Sequence, residues 1–263
     1  MKNKKILFIT YDGLFDQLGQ SQIIPYLINL KKEFDIHILS FEKQKNLDQS
    51  KINFIKKNFN WQYGIFIKSN LKIIKVFDYL KIFFMSLYLI NKKQISICHG
   101  RGFIPSFIIY LIRNFINVKF IYDLRGFWPD ERIDNKQLDL KKIIDLKIYN
   151  LLKKLEKKMI ASSDHTVVLT EKAKEIVKEY NQKITVIPCA TDFSFFYNKK
   201  VITEHNQNIK ELLNNYKNIF CYLGSTKGAY MYEAILRYFK LIITLKKNSL
   251  LLIITNDVQY QKR

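Results

Sequence analysis

An α/β fold built on a mostly parallel, doubly wound sheet is the architecture that this sequence predicts. Three observations carry it. Short runs rich in β-branched residues alternate with longer stretches of 3.6-residue apolar period, which specifies parallel strands joined by helices on both faces. The 263 residues, 48% of them hydrophobic, suffice for a substantial core in one or two domains. Polar, glycine-bearing stretches follow several strand-like runs, at the sheet end where α/β proteins keep their ligands.

In chain order, strands are expected at 4–10, 35–41, 63–67, 94–98, 118–122, 165–169, 183–187, 218–223 and 249–255. Helical periods fill 21–32, 71–91, 103–116, 138–162, 170–180 and 228–246. The first strand leads into YDGLFDQLGQSQIIPY (11–26), a long polar exit where an ordinary connection needs only a few residues. Gly13 and Gly19 let a ligand approach the main chain, Ser21 is placed to cap the next helix, and Pro25 sets the helix start near Ser21. A plain strand-to-helix turn explains the same residues equally well. Neither a G-x-G-x-x-G fingerprint nor a P-loop lysine is present.

Two helices stand out. Segment 71–91 carries Phe77, Phe83, Phe84 and Tyr88 with Lys72, Lys75 and Lys81, which suits contact with anionic lipid, although packing on the sheet would bury the same aromatics. Segment 138–162 places Ile143, Ile144, Leu151, Leu155 and Met159 on one stripe with lysines opposite. After Pro188 the periodicity stops, so the expected domains are 1–188 and 189–263. The 75 residues of the second have room for about two βα units.

The net charge of +21 invites a nucleic-acid reading, but six of the 44 basic residues are arginine and the lysines are scattered over every segment. No RRM, KH or zinc-finger pattern accompanies them, so no nucleic-acid partner is expected. The charge draws the surface toward anionic lipid or phosphorylated substrates. Cys98, Cys189 and Cys221 have neither metal-ligand nor disulfide spacing and are expected to be small buried side chains. The longest uncharged apolar stretches, 82–90 and 102–112, fall short of the roughly 20 residues of a membrane span. With no signal peptide read at the N-terminus, the expected location is the cytoplasm, or the inner face of the membrane as a peripheral protein.

Two further stretches can carry chemistry. In CHGRGFIPS (98–106), His99 and Arg101 straddle Gly100 and could hold a phosphate or hydroxyl groups. A half-buried histidine beside a solvated arginine fits as well. FIYDLRGFWPDER (120–132) sets Asp123, Arg125, Trp128, Asp130 and Glu131 within nine residues. Sugars favour such a set, because carboxylates accept hydrogen bonds from hydroxyls and an indole covers the apolar side of a ring. A helix starting at Pro129, with Asp130 and Glu131 serving its dipole, is the competing explanation.

The segments YDGLFDQLGQSQIIPYL, HGRGFIPS, YDLRGFWPDE, SDHTVVLTEKAKEIV, VIPCATDFSFF and YLGSTKGAYMYEAIL follow one another as they do in family 4 glycosyltransferases, and the chain resembles bacterial members serving polysaccharide or glycolipid assembly. The resemblance implies a GT-B fold, with a Rossmann-like N-terminal lobe for the acceptor and an incomplete second Rossmann-like lobe for a nucleotide-sugar donor. It also implies a retaining transfer without a metal or other cofactor, to a glycan or lipid-linked acceptor. Carried over, Asp123 and Arg125 are the candidate catalytic pair. Gly13, Gly19, Gln20, His99, Arg101, Trp128, Asp130 and Glu131 are candidates for substrate binding. Gly224, Ser225 and Lys227 would meet the donor diphosphate. Two departures matter: many relatives have arginine where Ser225 stands, and the family's E-x7-E donor segment would fall beyond Arg263. On that ground the chain alone is expected not to turn over a nucleotide sugar. The alternative to an enzyme is a non-catalytic remnant or acceptor-binding subunit, active with a second chain that supplies the donor lobe.

Overall fold

The computed structural model describes residues 4–43, 47–65, 72–190, 211, 213–226, 230–255 and 257. Cα packing divides the chain into two units, residues 1–131 with 139–192, and 132–138 with 193–263. The sequence boundary at 188/189 lies a few residues before the second of these divisions.

In the first unit seven parallel strands form one sheet in the order β3-β2-β1-β4-β5-β6-β7. They are β1 (Lys5–Thr10), β2 (Asp35–Glu42), β3 (Asn60–Ile65), β4 (Ile97–Arg101), β5 (Lys119–Leu124), β6 (His165–Val168) and β7 (Ile184–Val186). The order reverses between β1 and β4, so the chain is doubly wound. One face of the sheet is covered by α1 (Ile24–Leu30) and α2 (Gln49–Asn58), which close a core of Phe8, Ile36, Ile38, Ile55 and Trp61. On the other face α3 (Lys72–Lys93), α4 (Phe103–Ile112) and α6 (Ile143–Ser162) bury Leu7, Ile9, Phe41, Cys98, Phe120 and Tyr122. Strand residues two apart share a face, so Phe8, His99 and Asp123 stand on the α1 side while Cys98 and Tyr122 stand on the α4 side.

The strands appear where the sequence places them, with shifts that have consequences. The fourth runs 97–101 rather than 94–98, because β1 and β5 offer it a ladder on each side through Thr10↔Arg101 and Arg101↔Asp123. This draws His99 and Arg101 out of a loop and into the sheet. The third starts three residues early, at Asn60, since Trp61 is buried and its indole N–H donates to Ser40 Oγ at 2.9 Å. Helix α2 has no expected counterpart: its inner face is little more than Ile55, too weak a period to read, though Asp48 caps it through Ser50 N at 2.8 Å.

Three expectations need correction. Ser21 caps nothing: the chain enters α1 through a π-helical turn over Gly19–Ile23, and Ser21 Oγ donates back to Gln17 O. In α6 Leu155 and Met159 face the core as expected, with Glu156 and Ile160 buried and Leu152 half-buried beside them, while Ile143, Ile144 and Leu151 are exposed. The core face is rotated because Glu156 is held inside by Lys153, whose ammonium also meets Asp130, each at 2.7 Å. Of the cysteines only Cys98 is buried. Cys221 is exposed because its neighbours Phe220 and Tyr222 take the face toward the helix, against Phe239 and Tyr232.

The second unit contains β8 (Asn218–Leu223) and β9 (Ser249–Ile254), paired in parallel, and α8 (Tyr232–Leu245) between them.

One packing contact of the first unit is tight enough to test. A Cβ on Gly100 would come within 2.8 Å of Ser106 Cα and N, backbone that α4 cannot withdraw without leaving the sheet. Gly100→Ala should therefore lower stability by about 1–3 kcal/mol, read as an earlier urea midpoint.

Candidate functional site

The carboxyl ends of β1, β4 and β5 lie side by side, at the point where the strand order reverses. Crossovers there depart to opposite faces and leave a crevice, the place where open α/β sheets bind ligands. His99 and Arg101 on β4 point to the α1 side of this crevice, as do Asp123 and Arg125 at the end of β5. Alternation two residues apart, and the register Arg101↔Asp123, bring all four together.

Asp123 is 6% exposed and has three cationic or cation-capable neighbours. Its Oδ2 is 3.6 Å from His99 Nε2 and 3.6 Å from an Arg101 guanidinium nitrogen, and its Oδ1 is 3.6 Å from Arg125. Burial by itself pushes the carboxyl up; the facing His99, then Arg125 and Arg101, outweigh it and hold Asp123 below the usual carboxylate range. Arg101 is lowered from its ordinary value by burial and by the nearby Arg125 charge, with Asp123 and Asp12 opposing. Asp12, after β1, reaches Arg101 Nε at 3.7 Å. Gln22 ties the two guanidinium groups together, its Oε1 accepting from Arg101 at 3.2 Å and from Arg125 at 3.0 Å. Gln22, His99, Arg101, Asp123 and Arg125, with Tyr26, line a cavity of about 100 Å³. Three buried polar atoms of the cluster, His99 Nε2, Arg101 Nε and Asp123 Oδ1, have no hydrogen-bond partner among the described residues.

The loop after β1 is fixed from beneath by a residue that the sequence reading missed. Glu42, 1% exposed at the end of β2, accepts from Leu14 N at 2.8 Å, Phe15 N at 3.2 Å and Ser40 Oγ at 2.7 Å. The open side of Gly13 is filled by that carboxylate, and the side of Gly19 by the Gly13 carbonyl and Leu14 backbone. Gln20 Nε2 donates to Leu14 O at 2.6 Å. Gly13, Gly19 and Gln20 thus shape the loop by packing it against itself.

The acidic run after β5 is similarly engaged. Trp128 stacks on Phe103, ring centroids 4.7 Å apart, which covers one of its faces. Asp130 accepts from Tyr149 and Lys153 at 2.7 Å each, clamping α5 (Trp128–Asp134) to α6. Asp130 and Glu131 lie in the first turn of α5, and Gly126 leaves the room that the Glu131 carboxylate occupies. Gly102, at φ 80°, makes the turn from β4 into α4 and donates its N–H to Asp123 O at 2.8 Å.

In the second unit, Gly224 and Ser225 follow β8, and Lys227 lies outside the described residues. Asp257, after β9, fixes this loop. Its Oδ2 accepts from Thr226 N at 2.6 Å, and from Ser225 Oγ and Thr226 Oγ1 at 2.9 Å. Gln22, Glu42 and Asp257 share one faint signal in the sequence, a polar residue bordering an apolar run. Nothing local says which backbone each one meets.

Two measurements check this geometry. Glu42→Ala strands two loop amides and should cost about 2–3 kcal/mol in urea unfolding, with faster proteolysis near Leu14. The folded pKa of Asp123 lies below the unfolded value of about 3.9, so its stabilisation is complete above that pH and lost as pH falls through the folded value. The stability gap between the native chain and Asp123→Asn should be wide at neutral pH and should narrow below about pH 4.

A family model described as Glycosyltransferase Family 4 matches residues 29–195. No curated protein matches the chain. Among solved structures it is similar to the N-terminal domain of Candida albicans trehalose-6-phosphate phosphatase, at 12% identity and TM-score 0.62, covering 97% of this chain and 64% of that one. It is also similar to sucrose-phosphate synthase from Thermosynechococcus elongatus, at 10% identity and TM-score 0.58, covering 95% and 70%. A third is the complex of S. aureus MnaA with UDP, at 12% identity and TM-score 0.56, covering 97% and 63%. At such identities the likeness is one of fold, and the chain spans 63–70% of the length of these structures. The architecture is the GT-B type expected, its Rossmann-like lobe the seven-stranded parallel sheet. The matched segment runs from the end of α1 past β7 and takes in His99, Arg101, Asp123 and Arg125, and over that span the chain belongs to glycosyltransferase family 4.

Proposed function

We propose that this chain is a retaining hexosyltransferase-like enzyme of cell-surface polysaccharide or glycolipid synthesis. It moves a sugar from a nucleotide-sugar donor to a glycan or lipid-linked acceptor held at the β1/β4/β5 crevice. The observation that carries the reading is hydrogen-bonding capacity that the cluster does not fill: His99 Nε2, Arg101 Nε and Asp123 Oδ1 are buried, and among the described residues they meet charged neighbours at 3.6–3.7 Å without forming a hydrogen bond. Buried polar atoms are normally satisfied, and a set left open together is an arrangement for the hydroxyls or phosphate of a ligand.

In this reading Asp123, held as a carboxylate, accepts from an acceptor hydroxyl. Arg125, only half-buried, reaches toward developing negative charge, and His99 and Arg101 keep the carboxylate ionised and oriented. The acceptor oxygen bonds to the anomeric carbon as the bond to the diphosphate breaks. The electron pair leaves with the diphosphate, which also takes the acceptor proton. Charge on the leaving group is met by preorganised amides and cations, so no metal is required. The loop of Gly224 and Ser225, braced by Asp257, and Lys227 beyond it are the proposed donor-phosphate contacts. A UDP complex among proteins of similar fold supports a nucleotide-sugar donor. The enzyme would work in the cytoplasm, at the inner face of the membrane.

Transfer of labelled sugar from a panel of UDP- and GDP-sugars to a membrane lipid extract, by the chain together with a second chain that supplies the donor lobe, tests the reading. Asp123→Asn and Arg125→Ala should each cut turnover by about 10²-fold or more, with an unchanged circular dichroism spectrum. Full turnover in both would remove the crevice from the chemistry.

A further inference from the structure

Helix α3 is apolar on more than the face that it buries. Its inner side sets Ile82, Leu89 and Ile90 into the core, and Phe83 packs on the same cluster. On the opposite side Phe77, Phe84 and Tyr88, spaced i, i+7 and i+11, fall on one stripe and are 62%, 61% and 53% exposed. Leu80 flanks them at 46%. Lys81 and Lys92 stand exposed along the same stripe. The helix has a single acidic residue, Asp78, and it is buried. The side chains of Lys72 and Lys75 lie outside the described ones.

A surface helix of a globular protein ordinarily turns polar residues outward. Here aromatic rings and lysines share the outward face, with no exposed carboxylate among the described side chains of the helix. Aromatic residues settle at the headgroup level of a bilayer, and lysines add attraction to anionic lipid that the net charge of +21 reinforces. Among the described residues no helix is long and apolar enough to cross a membrane, so the contact is with a surface. On the inner side of α3, Tyr79 packs its ring 5.9 Å from Tyr11, which sets the start of the helix against the loop after β1.

We propose that the outer face of α3 lies flat on an anionic lipid bilayer, with Phe77, Phe84 and Tyr88 in the headgroup boundary and Lys81 and Lys92 against the anionic headgroups. This deepens the reading of a lipid-linked acceptor, since the helix that meets the bilayer packs by its inner side on the loop after β1. It does not stand or fall with that reading, because binding to vesicles needs neither donor nor acceptor.

The test is flotation of the full chain with vesicles of phosphatidylcholine alone, and with about 30% phosphatidylglycerol added. Partition onto the anionic vesicles should exceed that onto neutral ones at least about tenfold and weaken with salt. The combined Phe77→Ala, Phe84→Ala, Tyr88→Ala variant, altered only at exposed positions, should lose about tenfold or more on anionic vesicles. Lys81→Gln with Lys92→Gln should narrow the difference between the two lipid compositions. In case the triple variant folds poorly, Phe84→Trp reads the contact without removing apolar surface. Its added emission should shift to the blue with anionic vesicles and stay unshifted with neutral ones. Equal partition onto both compositions, partition unaffected by the triple variant, or a stripe-dependent dimer in sedimentation equilibrium without lipid would each overturn the proposal, the last assigning the face to a second copy of the chain.

Discussion

A parallel sheet sends every strand's carboxyl end to the same edge, and the reversal of strand order between β1 and β4 leaves a crevice on that edge that no crossover covers. Every polar feature of the site follows from this constraint. Asp12, Arg101 and Asp123 come from three different strands or their exits, yet meet because β1, β4 and β5 are neighbours in the ladder. The same neighbours supply hydrogen bonds on both sides of β4, so charged residues can continue a strand as far as Arg101. A carboxylate buried to the degree of Asp123 is tolerable only with compensation. That compensation arrives from one face of the sheet, as His99, Arg101 and Arg125.

Two loops, one in each unit, are held by carboxylates that act as anchors for backbone. Glu42 gathers the amides of Leu14 and Phe15, and Asp257 gathers the Thr226 amide with two hydroxyls. In each case a side chain at the end of the neighbouring strand does for a loop what a ladder does for a strand, satisfying N–H groups that would otherwise be left without partners. Gly13, Gly19 and Gly126 serve the same end, each giving its side-chain space to an atom of its own chain. A site assembled this way is preorganised, and the polar atoms left open within it face a cavity whose walls are already fixed.

Much of the fold was legible in advance, because strand and helix periods are local quantities. Among the described residues all nine strands and the helices α3, α4, α6, α7 (Glu171–Val177) and α8 coincide with periodic runs. Helix α2 escaped because one buried residue makes almost no period, and the α6 stripe was misread because a buried Glu156 looks polar in any hydropathy pattern. At the site, His99, Arg101, Asp123 and Arg125 were readable as polar residues in pairs two apart at strand ends. Trp128, Asp130 and Glu131 looked just as chemical, and in the structure Trp128 stacks on Phe103, Asp130 clamps two helices and Glu131 fills the space beside Gly126.

By itself the sequence determined the class of fold and the order of its strands. These depend on residue type and on spacings of two or 3.6, which no partner elsewhere in the chain can alter. Only tertiary structure decided that Gln22 bridges two arginines 79 and 103 residues away, and that Glu42 holds a loop 28 residues before it. It also decided which aromatics of α3 face outward. Such facts depend on distance through space, which a linear order of residues does not encode until the ladder has brought its strands together.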